Sequence, residues 1–326
     1  MRGNSRRRAF GARRSSFTEE PHALAARAIP RTTSSFTPES LGFDECTDEQ
    51  RRFRAFLAVF LLNSPSIPPR LLLDDKAQPI LTSGVSRLLY SPILLSAQYS
   101  DISVLTNMGD HLLQCVTDAS DSTHGVPGLR PVGIEGDNEA LLLRHLPTGA
   151  YLRFRYFDYA NPRQRTPPWF YPTHWSGMRR SSAIGTYESI TLNAVPTIDD
   201  DAAALLAGLV ARMSCQSRGE GWAVSRLLHD SLGNRDHYNG SYSFTHLWGS
   251  GNNWVMRWSG YGAVPAADVA RALTHKSVGI NGATAKTVTA DVKEVRFRNA
   301  TLRLEVHRAD ISEMFGGGKV NGVDRD

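Results

Sequence analysis

The sequence predicts an α+β fold: an antiparallel, β-rich domain of sandwich or jelly-roll type, carrying several amphipathic helices behind a flexible basic N-terminal arm. Three observations predict it. Helical and strand-like periods are interspersed without the β-then-α rhythm of a parallel sheet. Turn-forming residues separate two pairs of strand-like runs in the C-terminal third, and about eight strand candidates in all suffice for two packed sheets. Six arginines fall in the first fourteen residues before any acid appears, interleaved with Gly and Ser, which makes a polycation unable to pack a core of its own.

The bulk of the chain is built to fold. At 41% apolar and 21% charged it sits away from the low-hydrophobicity, high-charge corner where chains stay disordered. Its longest apolar run, Ala55 to Leu62, is eight residues, far short of the roughly 18 that a membrane-crossing helix needs, so no membrane span is expected. Cys46, Cys115 and Cys215 form neither a CxxC pair nor a zinc-ligand set, and no secretory h-region precedes them, which points to a reducing compartment.

Residues 1–45 read as basic arm and linker. The stretch from Pro30 to Ser40, PRTTSSFTPES, sustains no apolar period. One large α+β domain then spans 46–315, and 316–326 is a flexible Gly-rich tail. Thr47 to Gln50 matches a capping box, in which the Thr hydroxyl takes the Gln50 N–H and the Gln side chain reaches back. The helix that follows places Phe53, Phe56, Leu57, Phe60 and Leu61 on one face and stops at Pro65. A second helix is expected over Ser100–Thr117, with Val104, Leu105, Met108, Leu112 and Val116 inward. Strands are expected at Tyr151–Tyr159 and Tyr187–Val195. After Pro196, Asp199, Asp200 and Asp201 precede an apolar run, as acids do in the first turn of a helix, where they oppose the helix dipole. Short helices are expected at Gly221–Leu232 and Ala266–His275. The first hairpin joins Tyr242–Trp248 to Trp254–Trp258 through a five-residue loop. It sets Tyr242, Phe244, His246 and Trp248 on one face and Trp254, Met256 and Trp258 on one face of the partner strand, a ladder expected in the core. The second joins Val292–Arg298 to Thr301–Arg308, burying Val295, Phe297, Leu302, Leu304 and Val306.

Catalytic signatures are missing. The sequence has no GxGxxG, no P-loop, no GxSxG and no HExxH, and no cofactor or metal site is expected. The one histidine cluster, His229-Asp230 with Asp236-His237, allows two readings: a metal-dependent or acid–base centre, or a helix end with His near its C-terminal dipole. The second is favoured.

Charge placement carries the functional expectation. Residues 1–40 hold eight arginines and three glutamates, which accounts for the whole net charge of +5, so the body is neutral. Arg2, Arg6, Arg7, Arg8, Arg13 and Arg14 suit nucleic-acid phosphates, since arginine donates two parallel hydrogen bonds and each neutralised phosphate releases a counterion. A mitochondrial targeting segment has the same composition. The Pro-rich segment 161–180 interleaves Arg163, Arg165, Arg179 and Arg180 with Trp169, Phe170, Tyr171 and Trp175, residue types that anchor protein interfaces, that pack a loop over its own core, or that stack unpaired bases; the interface reading leads. A flexible Arg arm, a Ser/Thr/Pro linker and a large domain with aromatic loops are in general style similar to many viral coat proteins, though no family motif is present. The leading expectation is a structural subunit of a nucleoprotein assembly. It would contact nucleic acid, RNA before DNA, through its arm and copies of itself through its body, in a virion or the cytoplasm. The alternatives are an organellar or ribosome-associated RNA-binding protein, located in the mitochondrion, and an enzyme using the His229–His237 cluster.

Overall fold

The structure is a computed structural model that describes residues 2–18, 22–29, 41–62, 96–98, 101–105, 126–135, 140–155, 183–213, 215–224, 244–259 and 263–307. In chain order the elements begin with helices α1 (Arg2–Thr18), α2 (His22–Ala28) and α3 (Asp48–Leu61), then strands β1 (Ser96–Gln98), β2 (Asp101–Leu105), β3 (Leu129–Glu135), β4 (Ala140–His145) and β5 (Tyr151–Arg155). Helices α4 (Thr186–Ala194) and α5 (Asp200–Ala211) follow, then strands β6 (Gln216–Ser217), β7 (Trp222–Ala223), β8 (Phe244–Ser250) and β9 (Asn253–Ser259). Helix α6 (Ala266–Thr274) and strands β10 (Thr284–Thr287), β11 (Val292–Phe297) and β12 (Ala300–His307) complete the set. No described helix is long and apolar enough to cross a membrane.

The architecture is mixed α and β, with sheets that are mostly antiparallel. One five-stranded sheet runs β1-β2-β5-β4-β3 and the other β10-β11-β12-β9-β8, while β6 and β7 pair separately. Each large sheet contains one parallel pair, β2 with β5 and β12 with β9. In the second sheet the period-2 pattern of β12 drives Leu302, Leu304 and Val306 to one face, beside Trp254, Met256 and Trp258 of β9 and Val295 and Phe297 of β11. Helix α5, apolar nearly all round, lies on β11 and β12 and packs against α3. Helix α3 in turn meets the first sheet: Phe53 stacks on His145 of β4 and Phe56 lies tilted against it, each with ring centroids 4.8 Å apart. One hydrophobic core therefore runs from sheet to sheet through α3 and α5.

Several expectations change. The arm is helical over Arg2–Thr18 and His22–Ala28, and α1 closes on α2 so tightly that a side chain at Gly11 would meet Ala26 Cα at 2.6 Å. The capping box is half formed. Thr47 Oγ1 accepts the Gln50 N–H at 3.3 Å, but the Gln50 side chain donates to the Tyr151 carbonyl (3.2 Å) and accepts its N–H (3.3 Å), acting as a one-residue strand neighbour. Residues 101–105 of the expected second helix are strand β2, and the rest of that segment lies outside the described residues. Ile102 and Val104 already alternate at period 2, and pairing with Leu152 and Phe154 of β5 settles the choice. Trp222 and Ala223 are strand β7 where a helix was expected.

Tyr187–Val195 falls in helix α4 and not in a strand. Its β-branched residues favour a strand only weakly, and Glu188 overrides them: in the first turn its carboxylate accepts the Gly185 N–H at 2.9 Å and starts a helix.

Both C-terminal hairpins form. The first turn is only Gly251-Asn252, with Gly251 at φ 59°, so both strands run further into the expected loop, to Ser250 and from Asn253. Its register places Leu247 opposite Met256, which puts Leu247 in the core; His246 and Trp248 share the other face with Arg257, whose guanidinium lies 5.2 Å from the Trp248 ring centre. His246 and Trp248, expected in the core ladder, thus lie on the face opposite Leu247, because the pairing register decides which of two faces bearing large residues turns inward.

Candidate nucleic-acid interface and the arginine cluster behind it

Helix α1 carries six arginines and no acid. A helical period of 3.6 puts Arg6 and Arg13 on one stripe and Arg7 and Arg14 on the next. Arg6, Arg8 and Arg13 are exposed, and Arg6 lies over the Phe10 ring of its own helix. Arg13 also donates to Ser277 Oγ, and the Arg7 Nε donates to the Ala26 carbonyl at 2.7 Å, joining α1 to α2. Only the backbone of Arg2 is described.

Arg14 departs from the expected role. It is 0% exposed, donates to the Leu41 carbonyl at 3.0 Å and lies 4.4 Å from the Phe43 ring centre. One turn on, Phe17 packs on Trp222 and His275, with centroids 6.5 and 5.3 Å away. Arg14 and Phe17 thus fasten the helix, and the exposed arginines beside them face solvent at fixed spacing.

Behind α1, three buried arginines surround residues 41–44. Arg14 and Arg54 donate to the carbonyls of Leu41 and Phe43, the latter at 2.9 Å. Arg212 grips the Asp44 carboxylate with both Nη atoms, at 2.8 and 2.6 Å, donates to the carbonyls of Gly208 and Val278, and lies 5.3 Å from the Phe43 ring centre. Leu41 takes a left-handed φ of 46°, a rare conformation for a bulky side chain. It turns the chain where the carbonyls of Leu41 and Phe43 and the carboxylate of Asp44 meet guanidinium groups.

A cleft of about 400 Å³ opens on this cluster, between α3, α5 and the β11–β12 turn. Its wall carries Asp44, Asp48, Asp200 and Asp201 together with Arg51, Arg52, Arg54 and Arg298. Asp48 pairs with Arg51 at 2.6 Å, Asp200 with Arg52 at 3.3 Å, and Asp201 with Arg298 at 3.4 Å. Arg298 is the second non-glycine residue with left-handed backbone (φ 52°), held there as Asp201 also accepts from the Asn299 side chain and N–H. Cys46 lines the cleft, but burial raises its thiol pKa and outweighs Arg54 and Arg51, so it is a poor nucleophile.

Two more polar groups are buried away from the cleft. Glu188 joins Arg130 of β3 through two bonds of 2.7 Å and also accepts the Gly128 N–H at 2.9 Å. Burial alone would raise its carboxyl; these donors and the Gly185 N–H outweigh it and hold the pKa at about 2. His145, between Phe53 and Phe56, is depressed to about 4 by burial.

Arg163, Arg165, Trp169, Phe170, Tyr171, Trp175, Arg179 and Arg180 lie outside the described residues, as do His229 and His237. Among the described residues no group of three or more His, Cys, Asp or Glu is placed to hold a metal. Sequence reasoning missed the buried arginine cluster. Its signal was present: Arg54 interrupts the apolar run of α3, and Arg212 follows directly on that of α5. No protein-family model, curated protein or solved structure matches the chain.

Proposed function

We propose that the chain is a structural subunit of a nucleoprotein assembly, coat-like in role, which contacts RNA or DNA through α1 and copies of itself through its body. The supporting observation is the acid-free helix α1, fastened by Arg14 and Phe17 while Arg6, Arg8 and Arg13 stay exposed. A fastened helix holds its charges at fixed spacing, and phosphate contacts of this kind position a protein on nucleic acid without reading sequence. Self-association has two candidate surfaces. Strand β10 is the edge of its sheet with all four residues exposed, and the segment 161–180 has the composition of an interface anchor.

Electron microscopy of the purified full chain, with and without added RNA, tests the assembly. Regular shells or filaments that form or become more uniform with RNA are the expected result. Particles no larger than dimers across salt and pH, with RNA present, would contradict the reading.

A further inference from the structure

Among the described residues, Arg54 is the cleft arginine that forms no ion pair with a carboxylate. Each of the four carboxylates on the wall is paired with a different arginine: Asp44 with Arg212, Asp48 with Arg51, Asp200 with Arg52 and Asp201 with Arg298. Arg54 is 1% exposed and uses only Nη1, on the Phe43 carbonyl. Its Nε and Nη2 are buried and make no hydrogen bond. Those two nitrogens form the edge of the guanidinium that presents two parallel N–H donors, the geometry that receives an oxyanion side-on. A buried donor without an acceptor is costly, and more so when it is charged, so two on one side chain call for an explanation.

We infer that the cleft between α3, α5 and the β11–β12 turn binds a small phosphate-bearing ligand, its phosphate oxygens received by Nε and Nη2 of Arg54. Burial is the largest force against the Arg54 charge; Asp44 and Cys46 favour it while Arg14 and Arg212 oppose it, so an anion placed here offsets the burial and the repulsion as well as satisfying two donors. At about 400 Å³ the cleft is within the range of small-molecule sites and larger than a bare phosphate needs, leaving room for an organic body. The left-handed backbone at Arg298 on the rim and at Leu41 beside the cluster is strain of the kind that collects at binding sites. The site is separate from the exposed face of α1 and does not depend on nucleic-acid binding.

The test is calorimetric titration of the full chain with inorganic phosphate and with a nucleoside monophosphate, against chloride at matched ionic strength. One saturable site per chain is expected, with a rise in melting temperature that chloride does not produce. Arg54→Gln is expected to weaken binding at least tenfold. Because a change at a buried arginine can disturb folding, Ala204→Leu serves as the second variant. Ala204 lines the cleft on helix α5 and is a member of none of the ion pairs above, and a leucine there fills the space while keeping helix propensity. It too should lose at least tenfold in phosphate affinity, with RNA binding unchanged. A variant with Arg6, Arg8 and Arg13 changed to Gln should keep the phosphate site intact. No saturable phosphate binding by the wild type, or equal affinity in the Ala204→Leu variant, would overturn the assignment. Binding lost only in the α1 variant would overturn it too, by placing the phosphate on the helix.

Discussion

Glu188→Ala is expected to lower the unfolding free energy by about 3–5 kcal/mol, the usual cost of breaking a buried ion pair from one side. Arg130 is 3% exposed, and without Glu188 it loses the carboxylate that balances its charge, while the carbonyls of Leu129 and Ala183 are neutral acceptors. The same substitution strips the acceptor from the Gly128 and Gly185 N–H groups, the second of which starts α4. Chemical denaturation of the variant and wild type at neutral pH checks this. Glu188→Gln should fall between them, since it keeps an acceptor and loses the charge. A loss under 1 kcal/mol for Glu188→Ala would mean that α4 and β3 are not held together by this pair.

Acidification is expected to destabilise the protein well before its carboxylates protonate, and His145 is the cause. Its folded pKa of about 4 lies below the ordinary 6.5, because protonation would place a charge between Phe53 and Phe56. The unfolded chain therefore binds the proton more readily, so the contribution of neutral His145 is fully present above pH 6.5 and is lost as pH falls toward 4. Between pH 7 and pH 5 the loss is about 2 kcal/mol. Glu45 and Asp268, both raised by burial, take up protons more readily when folded and act in the opposite sense at the lower end. Comparison with His145→Phe isolates the histidine, since the ring is kept and the titration removed. The variant should show a flatter stability profile between pH 7 and 5, and an unchanged slope would exclude His145 as its source.

The sequence was most legible where a period ran without competition. The inward sets of β11 and β12, the apolar face of α3 and the acidic start of α5 follow directly from spacing. It was least legible where distant partners decide. Tyr187–Val195 looks β-prone until Glu188 meets Arg130, 58 residues away, and the two faces of β8 cannot be ranked until Leu247 is set opposite Met256. The arm shows the same limit. Composition identified its charge, but its helices depend on Arg14 reaching Leu41 and Phe17 reaching Trp222, contacts that no local pattern announces. The arginine cluster is the extreme case, because Arg14, Arg54 and Arg212 converge from three helices on one turn of chain.

The proposed role of α1 is tested most directly by the salt dependence of RNA affinity in the full chain and in the variant with Arg6, Arg8 and Arg13 replaced by Gln. Glutamine keeps helix propensity close to that of arginine, and Arg14 and Phe17 remain to hold the helix in place. If those side chains meet phosphates, the variant binds more weakly, and its slope of log affinity against log salt flattens by about 2, from roughly 0.7 per single-strand phosphate contact. Wild-type affinity with an unchanged slope would contradict the account.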